Sequence, residues 1–155
     1  MSAYSYTGPA VTFVRAWKER GLRHLAPLAA ELVLAQLERP AVDVITYIPP
    51  DRVRQLKRAR HPAQSLAHEL AARWGIACEP LLLRIGVTER QASLPLALRR
   101  GNVRNVFGSA GEVAGRVLLV DDVYTTGSTS NAAAGTLRRA GATRVDVLTF
   151  VRAVR

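Results

Sequence analysis

An α/β domain with a mainly parallel central sheet flanked by helices is the fold class this sequence predicts, on three observations. Val117-Leu118-Leu119-Val120 is too apolar for a half-exposed strand and reads as a central parallel one. Apolar runs of strand length at 42–48, 81–83, 117–120 and 145–151 alternate with stretches of helical periodicity, the order of strands joined by crossover helices. With 155 residues, 48% of them hydrophobic, residues 1–155 make a single domain with enough chain for a real core.

The elements follow in order. Tyr4-x-Tyr6-x-Gly8 opens as a short extended segment, and a helix runs from Pro9, at its first turn, to about Glu19. Gly21 breaks that helix, and Leu25, Leu28, Ala29, Leu32 and Val33 mark one face of a second, which Pro40 ends. Val42 to Ile48 is a strand halted by Pro49-Pro50. A basic loop, Arg52 to Arg60, precedes a helix from Pro62 to Trp74 that Gly75 closes. Leu81-Leu82-Leu83 reads as a short buried strand. Residues Ile85 to Asn105 hold few apolar residues in register and predict a long mobile excursion, the kind of loop that is usually functional. After the central strand, Ser128 to Arg139 is a helix with Gly141 as its C-cap, and Val145 to Val151 is the last strand.

Composition excludes several classes. No run of eighteen apolar residues exists, so no membrane span is expected, and Met1 to Tyr6 lacks the basic-then-apolar order of a signal peptide. The single cysteine, Cys78, makes neither an internal disulfide nor a zinc site and reads as a buried structural thiol. A soluble cytoplasmic protein is the expectation. The net charge of +10, carried by twenty arginines and two lysines, favours phosphate-rich ligands or nucleic acid. His24 and His68 fall in helical stretches and His61 precedes Pro62 at a helix start. No Ser-His-Asp or metal-ligand constellation is present.

The chemistry concentrates where the central strand ends. Asp121 and Asp122 fall at its carboxyl end, where ligands bind in open α/β sheets. The turn Thr125-Thr126-Gly127-Ser128-Thr129 then offers backbone N–H groups, hydroxyls and a helix N-terminus, the parts of an anion nest. Two carboxylates repel phosphate but accept hydrogen bonds from a vicinal diol. A diol beside a phosphate describes a ribose 5-phosphate. A merely capped turn needs one hydroxyl, not four around a glycine behind two acids. The Gly-Lys-Ser/Thr of a nucleoside triphosphatase loop does not follow Gly127, and no Gly-x-Gly-x-x-Gly occurs.

Two further segments are candidates. Pro49-Pro50-Asp51-Arg52 follows a strand, so it falls on the same sheet edge, with Arg54, Lys57, Arg58 and Arg60 close behind. The excursion carries Arg84, Thr88, Gln91, Arg100 and Asn102, a basic loop able to close over a leaving group and exclude water.

The segment from Val117 to Thr129 resembles the 5-phosphoribosyl 1-pyrophosphate (PRPP) loop of type I phosphoribosyltransferases. The resemblance narrows to the ComF competence family through Arg84, Thr88-x-x-Gln91, Arg100-x-Asn102-Val103 ending at Phe107, Arg58 to Ala63 before Leu66-Ala67, and Tyr6-x-Gly8 with Lys18 and Gly21. It covers nearly the whole chain. It implies the type I phosphoribosyltransferase fold with a flexible hood loop. It implies that Asp121 and Asp122 hold the ribose hydroxyls as the catalytic pair, and that Thr125 to Thr129 hold the 5-phosphate. Pro50, Asp51 and Arg52 would then cradle pyrophosphate, and Arg84, Thr88, Gln91, Arg100 and Asn102 would belong to the hood. Magnesium would come with PRPP, without dedicated protein ligands.

The sequence departs from the family in three places. The four-cysteine zinc module that many relatives carry ahead of this point has no counterpart, Ala59 replaces the usual glycine after Arg58, and Gly86 replaces an arginine. The function implied is phosphoribosyl transfer from PRPP to a nitrogen nucleophile, with PRPP and a second copy of the chain as partners. The alternative is a competence protein acting in DNA uptake, binding PRPP or single-stranded DNA without turnover. Segments 48–73 and 75–106 hold half of the basic residues but no Phe, Tyr or Trp, so they lack the stacking platforms of single-strand binders.

Overall fold

The structure is a computed structural model that describes residues 2–5, 13, 16–17, 25–50, 61–85 and 106–152. Val117, Leu118, Leu119 and Val120 are each 0% exposed, as a strand with a partner on both edges and cover on both faces must be. They belong to β6, Arg116–Tyr124, which pairs in parallel with β2, Val44–Tyr47, on one side and β7, Arg144–Arg152, on the other. β1, Ser2–Ser5, pairs with β7, and β3, Ala77–Cys78, pairs with β2. The sheet order is β1-β7-β6-β2-β3, parallel throughout. A separate antiparallel pair joins β4, Leu82–Arg84, to β5, Phe107–Ser109.

The helices lie on both faces. α1 is Leu25–Leu34, α2 is Pro62–Trp74 and α3 is Ser128–Arg139. From β2 the chain crosses through α2 outward to β3, and from β6 it crosses through α3 the opposite way to β7. Right-handed crossovers in opposite directions put their helices on opposite faces. The packing agrees. Ala63, Leu66, Ala67, Leu70 and Trp74 of α2 join Ala29, Ala30 and Val33 of α1 over Ile45, Leu118, Val120, Leu148 and Phe150. Ala133, Ala134 and Leu137 of α3 cover Val117, Leu119 and Val145 with Leu82 and Phe107 beneath the hairpin. Each large side chain so buried contributes about 1.5–3 kcal/mol. Phe13 and Trp17, described as helical, add an aromatic cluster on Phe150, with ring centroids 5.1 and 6.0 Å from it.

The α/β class, the parallel sheet and the bounds of α2 and α3 match expectation. Pro62 sits at the start of α2, and Gly75 closes it in the left-handed conformation at φ +64°. Several elements differ. α1 stops at Leu34, six residues before Pro40. The Leu81 to Leu83 strand is shifted and lies outside the main sheet, with Leu83 54% exposed, because its partner is β5. Ala140 caps α3, and Gly141 follows it at φ +114°, where a Cβ would meet the Val113 carbonyl oxygen at 2.6 Å. β6 does not end at Val120 but runs through Asp121 and Asp122 to Tyr124. The expected excursion lies outside the described residues except for Ile85, as does most of the helix expected from Pro9 to Glu19. No helix among the described residues is long and apolar enough to cross a membrane.

The register of β2 on β6 is pinned at the amino end. Asp43 Oδ2 accepts the Arg116 backbone N–H at 2.7 Å and Nε at 3.1 Å, while Oδ1 accepts a second guanidinium nitrogen at 2.8 Å. The Arg116 side chain, and then its backbone N–H, lower the Asp43 pKa from 3.8 to about 2. A depressed carboxylate pKa contributes stability above the unfolded-state value, and that contribution is lost as pH falls through the folded one. Asp43→Asn should therefore lower the urea midpoint at pH 7. The gap from the parent should close between pH 4 and pH 2. A gap that stays constant over that window would show that the charge of Asp43 does not stabilise the strand pair.

Candidate functional site

The chain reverses its direction of travel across the sheet between β2 and β6, and the carboxyl ends of these two strands flank the crevice where such sheets bind ligands. The pairing stops there for a local reason. Tyr47 is the last β2 residue in register, opposite Val120, and the Ile48 N–H donates to the Val120 carbonyl at 3.0 Å. Pro49 and Pro50 have no N–H to continue the ladder. Among the described residues no strand pairs with β6 on that side beyond Val120, while β7 stays paired with it through Asp121 opposite Thr149 and Tyr124 opposite Arg152.

In a parallel strand the N–H and C=O groups of alternate residues face the same neighbour. Since Val120 faces β2, the Asp122 N–H faces the space that β2 has left. Asp121 Oδ1 accepts that N–H at 2.8 Å. Asp121 and Asp122 are 8% and 5% exposed, so the acidic pair is sunk into the end of the sheet rather than displayed on a loop. Their neighbours along β6 alternate between the α3 face and the α1/α2 face, as strand geometry requires.

The turn that follows is open. Thr125, Thr126, Ser128 and Thr129 are exposed, the Thr126 and Ser128 hydroxyls are 2.9 Å apart, and the Ser128 N–H reaches Thr126 Oγ1 at 3.4 Å. Gly127 occupies the N-cap of α3 at φ +74° and has no side chain with which to cap the first-turn N–H groups. Those N–H groups and the positive end of a 12-residue helix suit an anion. Gly127 is required twice over. Its φ favours glycine, and a Cβ there would collide with the Tyr124 hydroxyl and lie 2.8 Å from Cζ of the same ring. The Arg152 guanidinium lies 5.4 Å from the centre of that ring.

Arg84 joins the crevice from the hairpin. Its guanidinium stacks 5.5 Å from the centre of the Phe107 ring and donates to the Pro49 carbonyl at 3.4 Å, a long contact. Of the expected pyrophosphate loop, Pro50 is described, while Asp51 and Arg52 lie outside the described residues. So do Thr88, Gln91, Arg100 and Asn102 of the expected hood. His61 takes the N-cap position of α2 without a side-chain cap bond. Cys78 is half-buried, and burial, reinforced by Glu79, pushes its thiol up to about 11, away from reactivity. Among the described residues no His, Cys, Asp and Glu side chains cluster to hold a metal. A cavity of about 250 Å³ beside the amino half of β2 is lined by Asp43, Glu79 and Glu112, whose charges disfavour an anion.

The sequence reading overlooked Tyr124 and Thr149. An aromatic residue three before the turn glycine, and a lone hydroxyl inside Val145 to Val151, were the available signals.

No family model matches the chain. It is 30% identical over 164 residues to DNA utilization protein YhgH of Salmonella typhi, a match spanning 98% of this chain and 71% of that one. It is 31% identical over 142 residues to competence protein F of Haemophilus influenzae, spanning 88% and 62% of the two chains. Among solved structures, it resembles glutamine PRPP amidotransferase from B. subtilis, complexed with ADP and GMP, with TM-score 0.54 and 28% identity. A structure described as the allosteric regulatory enzyme of purine biosynthesis gives 0.53 at 28% identity. Each match covers 82% of this chain but only about a quarter of the larger enzyme.

The packing of Tyr124 on Gly127 is open to a double-mutant cycle. Gly127→Ala should cost about 1–3 kcal/mol of unfolding free energy, from the left-handed backbone and the displaced ring together. Tyr124→Ala in the same chain should recover the steric share, giving a coupling of about 0.5 kcal/mol or more in chemical denaturation. Strict additivity would mean that the ring does not press on the glycine.

Proposed function

Because this chain belongs to the family of competence protein F and DNA utilization protein YhgH, and its fold is that of the type I phosphoribosyltransferases, we propose that it binds PRPP at the carboxyl ends of β2 and β6. The single observation that carries this reading is the sunken acidic pair followed, across five residues, by an uncapped glycine turn at a helix N-terminus. The ribose diol donates to Asp121 and, through a bend of the strand end that adjacent positions need to reach one sugar, to Asp122, and the 5-phosphate accepts from the N–H groups and hydroxyls of Thr125 to Thr129.

The reaction supported is phosphoribosyl transfer to a nitrogen nucleophile with release of pyrophosphate. The bond from the anomeric carbon to the pyrophosphate oxygen breaks, positive charge develops on the sugar, and the nucleophile's lone pair forms the new bond. The chain's part is to hold the sugar, place the buried carboxylates beside the developing charge, and exclude water. Pro50 and Arg84 are the described members of the pyrophosphate loop and hood expected from the sequence, and in this reading they would serve the leaving group. Magnesium, entering with PRPP, would neutralise the leaving pyrophosphate. The hard oxygen donors at the crevice suit that ion, and water and ligand oxygens complete its shell.

Titration calorimetry with PRPP and magnesium tests this directly. The parent chain should bind PRPP, and Asp121→Asn with Asp122→Asn should weaken it at least tenfold, about 1.4 kcal/mol. Inorganic phosphate binding should be unchanged, because only sugar contacts are touched. Loss of both ligands together would point to a damaged fold or a misplaced site.

A second reading takes its support from the relatives' names and the net charge of +10, namely single-stranded DNA as a ligand in uptake or use of DNA. Phosphate contacts through the segment Arg52 to Arg60 would give a salt dependence of about −0.7 in log affinity per phosphate neutralised. Replacing Arg54, Lys57 and Arg58 with glutamine should flatten that slope if the segment serves DNA. The same replacement should chiefly weaken PRPP if it serves pyrophosphate.

A further inference from the structure

Thr149 sits in β7 between Leu148 and Phe150, is 1% exposed, and its Oγ1 has no hydrogen-bond partner among the described residues. A buried hydroxyl left unpaired costs about 1–3 kcal/mol, and valine has nearly the same shape without that cost. Such a group in a native core calls for a cause. The fold alone supplies none, so the cause is sought in what lies beside it. The sheet register sets Thr149 directly opposite Asp121. By strand alternation both side chains lie on the face that carries Val117, Leu119, Val145 and Val147. Neighbouring strands run about 4.8 Å apart, so the two side chains are lateral neighbours on that face. Beyond Val120, β7 is among the described residues the one strand that still pairs with β6, so Thr149 flanks Asp121 from its paired side.

Resting on the PRPP reading, we propose that Thr149 is a positioning residue for Asp121. Asp121 has two tasks that pull on one carboxylate. It accepts the Asp122 N–H through Oδ1 at 2.8 Å, and it receives the ribose diol. A carboxylate offers about four acceptor positions, enough for the N–H, the sugar and one further donor. When the sugar binds, the Thr149 hydroxyl donates to Asp121, so the carboxylate is held from the β7 side and stays ionised. No bond is made or broken in this step. The hydroxyl proton remains on Thr149.

The test compares Thr149→Val and Thr149→Ser with the parent by thermal unfolding, and by calorimetry with PRPP and magnesium and with inorganic phosphate, from pH 4 to pH 8. The valine variant should have an unchanged or higher Tm, since an unpaired buried hydroxyl has gone. Its PRPP affinity should fall about fivefold, the net worth of one hydrogen bond. Phosphate affinity should be unchanged. Its loss of PRPP binding on acidification should begin at a higher pH, because a hydrogen bond to the ionised carboxylate lowers its pKa and that bond is gone. Serine should restore the parent affinity and pH profile. PRPP binding by the valine variant equal to the parent, with the same acid limb, overturns the assignment. So does a fall in Tm for valine that serine does not show, which would give the hydroxyl to the fold. A parent chain that binds no PRPP removes the phosphoribosyl reading, and this inference with it. A parent that binds, with an unaffected valine variant, removes this inference alone.

Discussion

The end of the β2–β6 ladder is the constraint on which the rest of the site depends. A parallel ladder continues only while both strands supply N–H groups, and Pro50, whose position would be the next to face β6 after Ile48, has none. β6 is paired on its other side with β7, so it keeps a regular strand conformation for four more residues. A strand held by one neighbour keeps its side chains in register past the end of the other. Asp121 supplies its own carboxylate as the acceptor for the N–H of Asp122. The acidic pair is therefore part of the strand and not a loop feature, and its position is set by the sheet to within the tolerance of a hydrogen bond.

The turn depends on the same strand by another route. Because β6 extends to Tyr124, that ring lies over Gly127, and the turn is held by contact with the strand that feeds it. Glycine here removes a Cβ that would strike the ring and removes a side chain that would cap α3. Apart from the long contact of the Ser128 N–H to Thr126 Oγ1, no N-cap side chain then competes with an anion for the first-turn N–H groups. Strand end and helix start accept opposite kinds of group only a few residues apart. A ligand with hydroxyls at one end and a phosphate at the other fits in one orientation, since its phosphate beside the two carboxylates would be repelled.

What the sequence made legible was whatever depends on local chemistry. The apolar run at Val117 to Val120, the Pro62 start and Gly75 stop of α2, and the Gly127 turn into α3 each carry their cause within a few residues, and each stands as read. The features set by distant partners were not legible. The sequence pattern ends β6 at Val120, because two acids interrupt an apolar run, and pairing with β7 carries it on to Tyr124. β3 is two residues long and β5 contains Gly108, so neither has a pattern to find. Leu83 points outward because β4 joins β5, which lies more than twenty residues away in sequence. In the site, Asp121, Asp122 and the turn were visible as a motif. Tyr124 over Gly127 and Thr149 beside Asp121 were not, since each is significant only through its neighbour in space.

The geometry also separates the two proposed ligands. A vicinal diol is what the buried carboxylates can recognise, and ribose in PRPP has both hydroxyls free. Deoxyribose within a DNA strand lacks the 2′-hydroxyl, and its 3′-oxygen is esterified, so a DNA strand has no diol to offer Asp121 and Asp122. Its phosphates would instead meet two negative charges in a crevice too buried to screen them well. Any DNA contact must then lie away from the acidic pair, on arginines that the sugar site does not use. The two activities would be additive on one chain rather than alternatives at one site, and a ligand-bound crevice would not by itself exclude a nucleic acid from the surface around it.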